Sequence, residues 1–233
     1  MNYFLFNGHT SYDMGLTIEH APEYSMPERI VDTIEVRGRN GDLIIDTGAY
    51  GNVEQVYHVY FDGRKTSFTK EARDIATWLL GSRGYMRLED TYDPDVFRMA
   101  MIRKPETMNN FMNKLGRFDV TFECKPQRFL KMGENEVTLT TGDTIWNSWM
   151  PCHPIFKLNG SGTLTVNGNS IAISNNLNKT ITIDCEIQNA YTGDENRNSD
   201  ISVSGEFPYL VSGENTITFN NASCTMIPRY WSL

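Results

Sequence analysis

The feature that most constrains the fold is the lack of a helical period in the sequence from about residue 130 onward. Short runs of Thr, Ile and Val alternate there with turns rich in Asn and Gly. The clearest signal joins residues 163–166 to residues 169–173 through Asn167-Gly168, because a type I′ turn needs a positive φ at both central residues. Several short strands at regular spacing predict an all-β sandwich or jelly roll.

Two more strand patterns lie in the same part of the chain. Residues 180–187 alternate, which predicts that Ile181, Ile183, Cys185 and Ile187 point inward. Residues 216–219 and 224–227 bracket Asn220-Asn221, and we predict a last hairpin there.

The first part of the sequence mixes strands with one helix. We predict the helix from Thr69, acting as N-cap, to Gly81, acting as the C′ residue. Its apolar stripe consists of Ala72, Ile75, Ala76 and Leu79. Such a stripe indicates core packing.

Strands are predicted at residues 56–61, 85–89, 97–102 and 117–125, with turns at Asp62-Gly63 and at residues 90–95. The last of these strands places Phe118, Val120, Phe122 and Cys124 on one face, and Lys125-Pro126 is expected to end it. A composition shift places a domain boundary at residues 128–134, with residues 129–134 as the linker. We therefore expect a domain at residues 1–130 and a second at residues 131–233.

Charge and composition exclude several classes of protein. A net charge of −8 opposes tight binding of nucleic acid, although an acidic channel wall still lets DNA pass without holding it. The sequence shows neither a membrane span nor a signal peptide, so we expect a protein made in a cytosol. The four cysteines are too sparse for a secreted disulfide framework and are expected to be buried thiols.

No catalytic, cofactor or metal site is predicted. Residues 194–200 resemble the start of a calcium loop, but Ser199 replaces the required Gly and Gly205 the required Glu. Cys152-His153 lacks a second pair of zinc ligands at a usable spacing. A turn explains the carboxylates of residues 89–95 better than a glycosidase pair does.

Two stretches resemble the family of siphovirus distal tail proteins. The more specific is Gly38-Arg39-Asn40-Gly41-Asp42 with a downstream Gly48-x-Tyr50-x-Asn52, and the other is Phe207-Pro208-x-Leu210-x-x-Gly213-x-Asn215. Further matching segments are residues 15–19, 27–29, 34–37, 154–162, 183–184 and 227–231. One departure is Arg37, where the family often has Pro.

The resemblance implies an N-terminal, tail-tube-like β-sandwich with one flanking helix, and a C-terminal galectin-like β-sandwich. It implies a structural protein without cofactors, six copies of which form a ring in the virion at the tail tip after assembly in the bacterial cytoplasm. The implied partners are the major tail (tube) protein, the tail-tip protein and, in some relatives, receptor-binding proteins. DNA would pass through the ring without specific binding, and no membrane partner is implied.

Residues of the first motif are the candidates for inter-subunit contact. They are Arg37, Arg39, Asn40, Asp42, Tyr50 and Asn52. Arg favours planar, charge-assisted pairing and Tyr is enriched at interfaces, whereas a plain surface turn is the alternative interpretation. Because residues 35–53 are punctuated by Gly, we expect this segment to reach the next subunit as an arm.

The C-terminal domain offers a different function. Trp146 and Trp149 are candidate sugar contacts, since exposed aromatic rings can bind saccharides. The alternative to the tail hub is therefore a carbohydrate-binding module that contacts host cell-wall sugars.

Overall fold

A computed structural model describes residues 2–62, 67–103, 107–111, 115–174 and 180–233 of the chain. It divides into two compact units, Met1–Arg128 with Leu233 and Phe129–Ser232. Strands dominate both units, and the described residues contain one α-helix, so the predicted mainly β class is confirmed. The turn predicted at Asp62-Gly63 reaches Gly63, which lies outside the described residues.

The first unit is built on one large sheet. Its strands are β1 (Phe4–Phe6), β2 (His9–Thr10), β3 (Leu16–Ile18), β4 (Arg29–Ile34), β5 (Leu43–Tyr50), β6 (Val53–Asp62), β7 (Met86–Asp90), β8 (Val96–Met101), β9 (Asn109–Phe111) and β10 (Leu115–Leu130). The sheet order is β2-β1-β7-β8-β10-β6-β3, and β9 pairs with β10. Strands β4 and β5 form a separate two-stranded sheet.

The core of the first unit follows the alternation in β10 and the stripe of the helix. Phe118, Val120, Phe122 and Cys124 are all buried, as predicted. The helix α1 (Phe68–Leu80) packs its buried residues Ile75, Trp78 and Leu79 into the same core. The Trp78 ring stacks on Phe4 at 5.8 Å between centroids, and its Nε1 donates to the Phe6 carbonyl at 2.9 Å.

Both predicted ends of the helix are corrected by the structure. Ser67, not Thr69, is the N-cap, and its side chain accepts a hydrogen bond from the backbone N–H of Lys70. Gly81 has a φ of −70°, so it continues the right-handed conformation and does not adopt the left-handed one.

The predicted strand end at Lys125-Pro126 is wrong, because β10 continues to Leu130. Its pairing with β6 stops at Cys124 opposite Val53, so the absent N–H of Pro126 removes no hydrogen bond to that neighbour. Residues 129–134, predicted as the linker, form the end of β10 and a 3-10 helix at Lys131–Glu134.

The second unit is a sandwich of two sheets. Its strands are β11 (Val137–Leu139), β12 (Asp143–Asn147), β13 (Ile155–Asn159), β14 (Gly162–Val166), β15 (Asn169–Ile173), β16 (Thr180–Asp184), β17 (Asn189–Thr192), β18 (Glu195–Asn196), β19 (Ile201–Ser204), β20 (Gly213–Phe219), β21 (Ser223–Ile227) and β22 (Trp231–Ser232). One sheet has the order β11-β21-β13-β16-β17-β18, and the other β12-β20-β14-β15-β19. Side chains from both sheets form one apolar core. A second 3-10 helix lies at Asn198–Asp200.

The hairpin at Asn167-Gly168 is confirmed. Strands β14 and β15 pair in register, and the turn residues have φ of 51° and 90°. The positive φ at both positions is what a type I′ turn requires, so this local signal determined the structure correctly.

The last predicted hairpin is wrong, because β20 and β21 belong to different sheets. β20 pairs with β12 and β14, whereas β21 pairs with β11 and β13. Residues 220–222 cross between the sheets, with the Ala222 N–H donating to the Asn159 carbonyl at 2.9 Å and the Asn221 amide donating to the Gly160 carbonyl at 2.8 Å.

Ile187 also departs from its prediction. Ile181, Ile183 and Cys185 are buried, but Ile187 is 63% exposed. Strand β16 ends at Asp184, whose Oδ1 accepts the backbone N–H of Glu186 at 3.0 Å and so turns the chain before Ile187. The alternation therefore stops short of that residue.

Candidate functional site: an exposed arm

Strands β4 and β5 form a hairpin that projects from the first unit, and we call residues 29–50 the arm. In the described part of the chain, the two strands pair only with each other. Every residue of both strands is exposed, save the half-buried Tyr50. A lone two-stranded hairpin is at best marginally stable in water. This arm therefore needs to pack against another surface to be stable.

The arm carries apolar side chains on both faces. Ile34 pairs with Leu43 and Asp32 with Ile45, and these pairs share one face. Ile44 projects from the other face, since successive strand residues point to opposite sides. Ile44 is 63% exposed and Ile45 47%. A ribbon with one face in water should alternate apolar and polar residues, whereas the run Leu43-Ile44-Ile45 is typical of a strand covered on both sides.

A bulge bends the arm near its root. The register shifts between Arg29, opposite Tyr50, and Val31, opposite Asp46. Gly48 has a φ of 73°, and its N–H donates to Asp46 Oδ1 at 2.8 Å. This hydrogen bond, followed by that from Arg29, lowers the pKa of Asp46. The local kink and increased twist of a bulge set the direction in which the arm leaves the sheet.

Arg29 joins the two strands at the same place. Its guanidinium donates to Asp46 and, at 3.0 Å, to the Tyr50 hydroxyl. The hydrogen bond to Asp46 raises the pKa of Arg29, which keeps the arginine charged. Tyr50 is therefore engaged within its own arm.

The root of the arm is fixed to the large sheet by Asn52. Its Nδ2 donates to the Tyr85 hydroxyl and to Glu123 Oε1, both at 2.8 Å. The Gly51 N–H donates to the Glu28 carbonyl at 2.8 Å. The arm thus leaves from a rigid base.

The tip of the arm holds the remaining residues of the motif. Arg37, Arg39, Asn40 and Asp42 lie in the exposed turn between β4 and β5. Gly38 and Gly41 have φ of 83° and 80°, a conformation that a side chain would strain. The Arg39 N–H donates to the Val36 carbonyl at 3.1 Å.

The structure thus separates the six candidate contact residues into two groups. Four lie at the tip, while Tyr50 and Asn52 lie at the root, where each binds within its own unit. The role of Arg29 and the bounds of β4 were not predicted from the sequence. A usable signal was the pair Ile30-Val31, which breaks polar alternation in the same way as Leu43-Ile44-Ile45 does.

The two candidate sugar contacts lie in the second unit. Trp146 lies on β12 and is 68% exposed, and Trp149 is 37% exposed. The Trp149 N–H donates to Asn147 Oδ1 at 3.0 Å, which fixes the backbone between them. The other aromatic residues near this end, Tyr230 and Trp231, pack partly against the core.

Within the described ranges, no group of three or more His, Cys, Asp or Glu side chains could hold a metal ion. The one described helix is too short and too polar to cross a membrane.

The sequence of the second unit defines its class. Residues 148–231 match the family model of the siphovirus-type tail component, C-terminal domain. The second unit is therefore similar to siphovirus tail-component domains, and the predicted resemblance to siphovirus distal tail proteins is confirmed.

A solved structure extends the likeness to the fold of the whole chain. It is the crystal structure of the SPP1 Dit (gp 19.1) protein, described as a paradigm of the hub adsorption apparatus in phages that infect Gram-positive bacteria. The TM-score is 0.75 at 12% identity, and the match covers 100% of this chain and 98% of that one. No curated protein sequence matches this chain significantly.

Proposed function

We propose that this protein is the distal tail (hub) protein of a long non-contractile phage tail. Six copies form a ring that joins the tail tube to the tail-tip protein and anchors receptor-binding proteins. The role is structural and not catalytic, in the virion at the tail tip, after assembly in the bacterial cytoplasm. The match of residues 148–231 to a tail-component domain supports this class of function.

The exposed arm is the single observation that supports ring formation. Its apolar faces require cover, and a neighbouring copy of the chain supplies it. Heterologous contact of this kind, repeated around an axis, closes into a ring. The four tip residues then set the register through hydrogen bonds from Arg37 and Arg39 to polar groups of the neighbour.

The charge of the chain fits the passage of DNA. The net charge is −8, so a ring of several copies repels phosphate and does not hold it. We therefore expect DNA to move through the ring without specific binding.

The test replaces one apolar side chain of the arm by a charged one. Ile44→Lys should abolish ring formation, because burying the new ammonium at the interface is costly. The matched control is Ile187→Lys in the second unit, since Ile44 and Ile187 are each 63% exposed. Mass by light scattering and images in negative stain would report assembly, alone and with the tube and tip proteins.

Thermal melting separates loss of assembly from loss of folding. Both variants should melt as the parent subunit does, since substitutions of exposed residues usually change stability by less than about 0.5 kcal/mol. Rings of normal mass from Ile44→Lys would contradict the proposal. Arg39→Ala tests the tip separately. Arg39 lies in the turn between the two strands, whereas the hydrogen bonds of Tyr50 and Asn52 lie at the root.

We infer carbohydrate binding by the second unit as the other candidate function. Two features of the second unit favour it. Trp146 is 68% exposed, and an open groove is lined by Phe207 and Tyr209, so that aromatic rings are accessible to a sugar at either place. This function is compatible with a tail hub.

A further inference from the structure

An open groove of about 700 Å³ lies in the second unit, and neither Trp146 nor Trp149 is among its lining residues. It runs along one edge of the sandwich, where Gln188 precedes β17 of one sheet and Val203 lies in β19, the edge strand of the other. Trp146 lies on β12, at the opposite edge of the second sheet. The groove therefore lies at a different edge of the sheet from Trp146.

The wall formed by residues 205–210 is held in place by backbone hydrogen bonds. Leu210 and Cys152 each donate an N–H to the carbonyl of the other, both at 2.9 Å. The Glu206 N–H donates to Asn169 Oδ1 at 3.2 Å, next to Gly205 with its φ of 86°. A wall fixed before binding loses little conformational freedom on contact with a ligand.

The groove combines aromatic surface with polar side chains. Phe207 packs partly against the core, and both it and Tyr209 leave part of their surface in the groove. The His153 ring lies 5.9 Å from the Tyr209 ring, and His153 Nδ1 lies 3.2 Å from Glu186 Oε2. Apolar rings with a few fixed polar groups are the usual composition of a small-molecule site.

The polar groups of the groove are suited to hydroxyl groups. The exposed side chains of Glu206 and Gln188 offer a carboxylate and an amide, which accept from and donate to hydroxyls. A sugar ring presents hydroxyls at its rim and C–H groups on its faces, so it fits beside Phe207 and Tyr209. Gln188 has a φ of 52°, a costly conformation for a residue other than Gly.

The charge of the groove restricts the ligand further. Its lining includes the carboxylate of Glu206, and Glu186 lies beside His153, whereas Lys and Arg do not occur among the described lining residues. The hydrogen bond from His153 lowers the pKa of Glu186, so that carboxylate stays ionised. Negative charge disfavours phosphate-bearing and uronic-acid sugars.

We propose that this groove, and not the surface around Trp146 and Trp149, is the saccharide-binding site of the second unit. Its ligand class is a neutral or amine-bearing saccharide. The proposal rests on the second candidate function and names its site; it is independent of ring assembly.

The test is a titration of the full ¹⁵N-labelled chain followed by NMR. The probes are chitotriose, lactose and glucosamine, with glucuronate as the anionic comparison. We expect at least one of the first three to cause saturable shifts in amides of residues 151–153, 188 and 203–210. Glucuronate should bind more weakly.

Two variants separate the groove from the tryptophan surface. Gln188→Gly with Glu206→Ala should weaken binding by about tenfold or more, and Gly tolerates the positive φ at that position. Trp146→Ala with Trp149→Ala is the control and should bind as the parent does. Amide spectra show directly whether each variant is folded.

Three results would overturn the proposal. Loss of binding only in the tryptophan variant would keep the second candidate function but move its site. Absence of saturable shifts with all three probes at about 50 mM would contradict sugar binding by this unit. That concentration exceeds the millimolar dissociation constants of weak ligands. Preferential binding of glucuronate would contradict the charge argument.

Discussion

Asn215 is a fully buried amide on β20, and its removal tests how the second unit is held together. Its Nδ2 donates to the carbonyls of Val211 at 2.9 Å and Gly213 at 3.0 Å. Its Oδ1 accepts from the Val211 N–H at 2.8 Å and from Asn167 Nδ2 at 2.7 Å. This one side chain thus connects the β14–β15 turn to the segment that precedes β20.

We expect Asn215→Ala to destabilise the second unit by about 3–5 kcal/mol. Each buried partner left unpaired costs about 1–3 kcal/mol, and the sum over the four groups falls below its maximum because Asn167 is exposed and Val211 and Gly213 are only half-buried. At about 4–8 °C for each kcal/mol in a unit of this size, the melting temperature should fall by roughly 12–40 °C. Such a loss is a large share of the stability of a small domain.

Tryptophan fluorescence during urea unfolding is the suitable assay. Trp146, Trp149 and Trp231 lie in the second unit, and Trp78 lies in the first. The control is Glu214→Ala, an exposed neighbour on the same strand, which should change stability by less than about 0.5 kcal/mol. A loss below about 1 kcal/mol for Asn215→Ala would show that the amide network does not hold these segments.

Two further predictions test packing within the units, one by substitution of a glycine and one by a change of pH. A Cβ at Gly116 would lie 2.1 Å from the Phe61 ring, so Gly116→Ala should cost about 1–3 kcal/mol or more in denaturant unfolding. Gly51→Ala, whose nearest atom lies at 3.7 Å, should cost clearly less, and equal losses would refute the clash. Burial raises the pKa of the Cys152, Cys185 and Cys224 thiols from 9.0 to about 12. The unfolded thiols then ionise first, so stability is intact below pH 9.0 and falls above it by about 1.4 kcal/mol per pH unit for each thiol. Unfolding free energies that stay constant between pH 9 and pH 11 would contradict this cause.

The parts of the fold that sequence predicted are those determined locally. The turn at Asn167-Gly168 depends on two φ angles, and the alternation of β10 depends on neighbours two residues apart. By contrast, Asn220-Asn221 signals a bend but not which strands flank it. The partners of β20 and β21 lie far away in sequence, so no local pattern specified them.

The candidate site was predictable only at its tip. The Gly-punctuated motif indicated an exposed turn, but the roles of Tyr50 and Asn52 depend on Arg29, Tyr85 and Glu123, which are distant in sequence. The groove of the second unit was missed for the same reason, because three separate segments form its walls.

The placement of the consecutive strands β20 and β21 in different sheets determines when the second unit can fold. Val137 on β11 pairs with Met226, and Asp143 on β12 pairs with Ile217, so both sheets begin with a strand whose partner is made last. Contacts so distant in sequence form slowly, because the entropy of closing a long loop is lost before the contacts contribute any stabilisation. During synthesis, the nascent sandwich therefore keeps two incomplete sheet edges until β20 and β21 have emerged from the ribosome. A chain cut before β20 would leave both edges open to pairing with other chains.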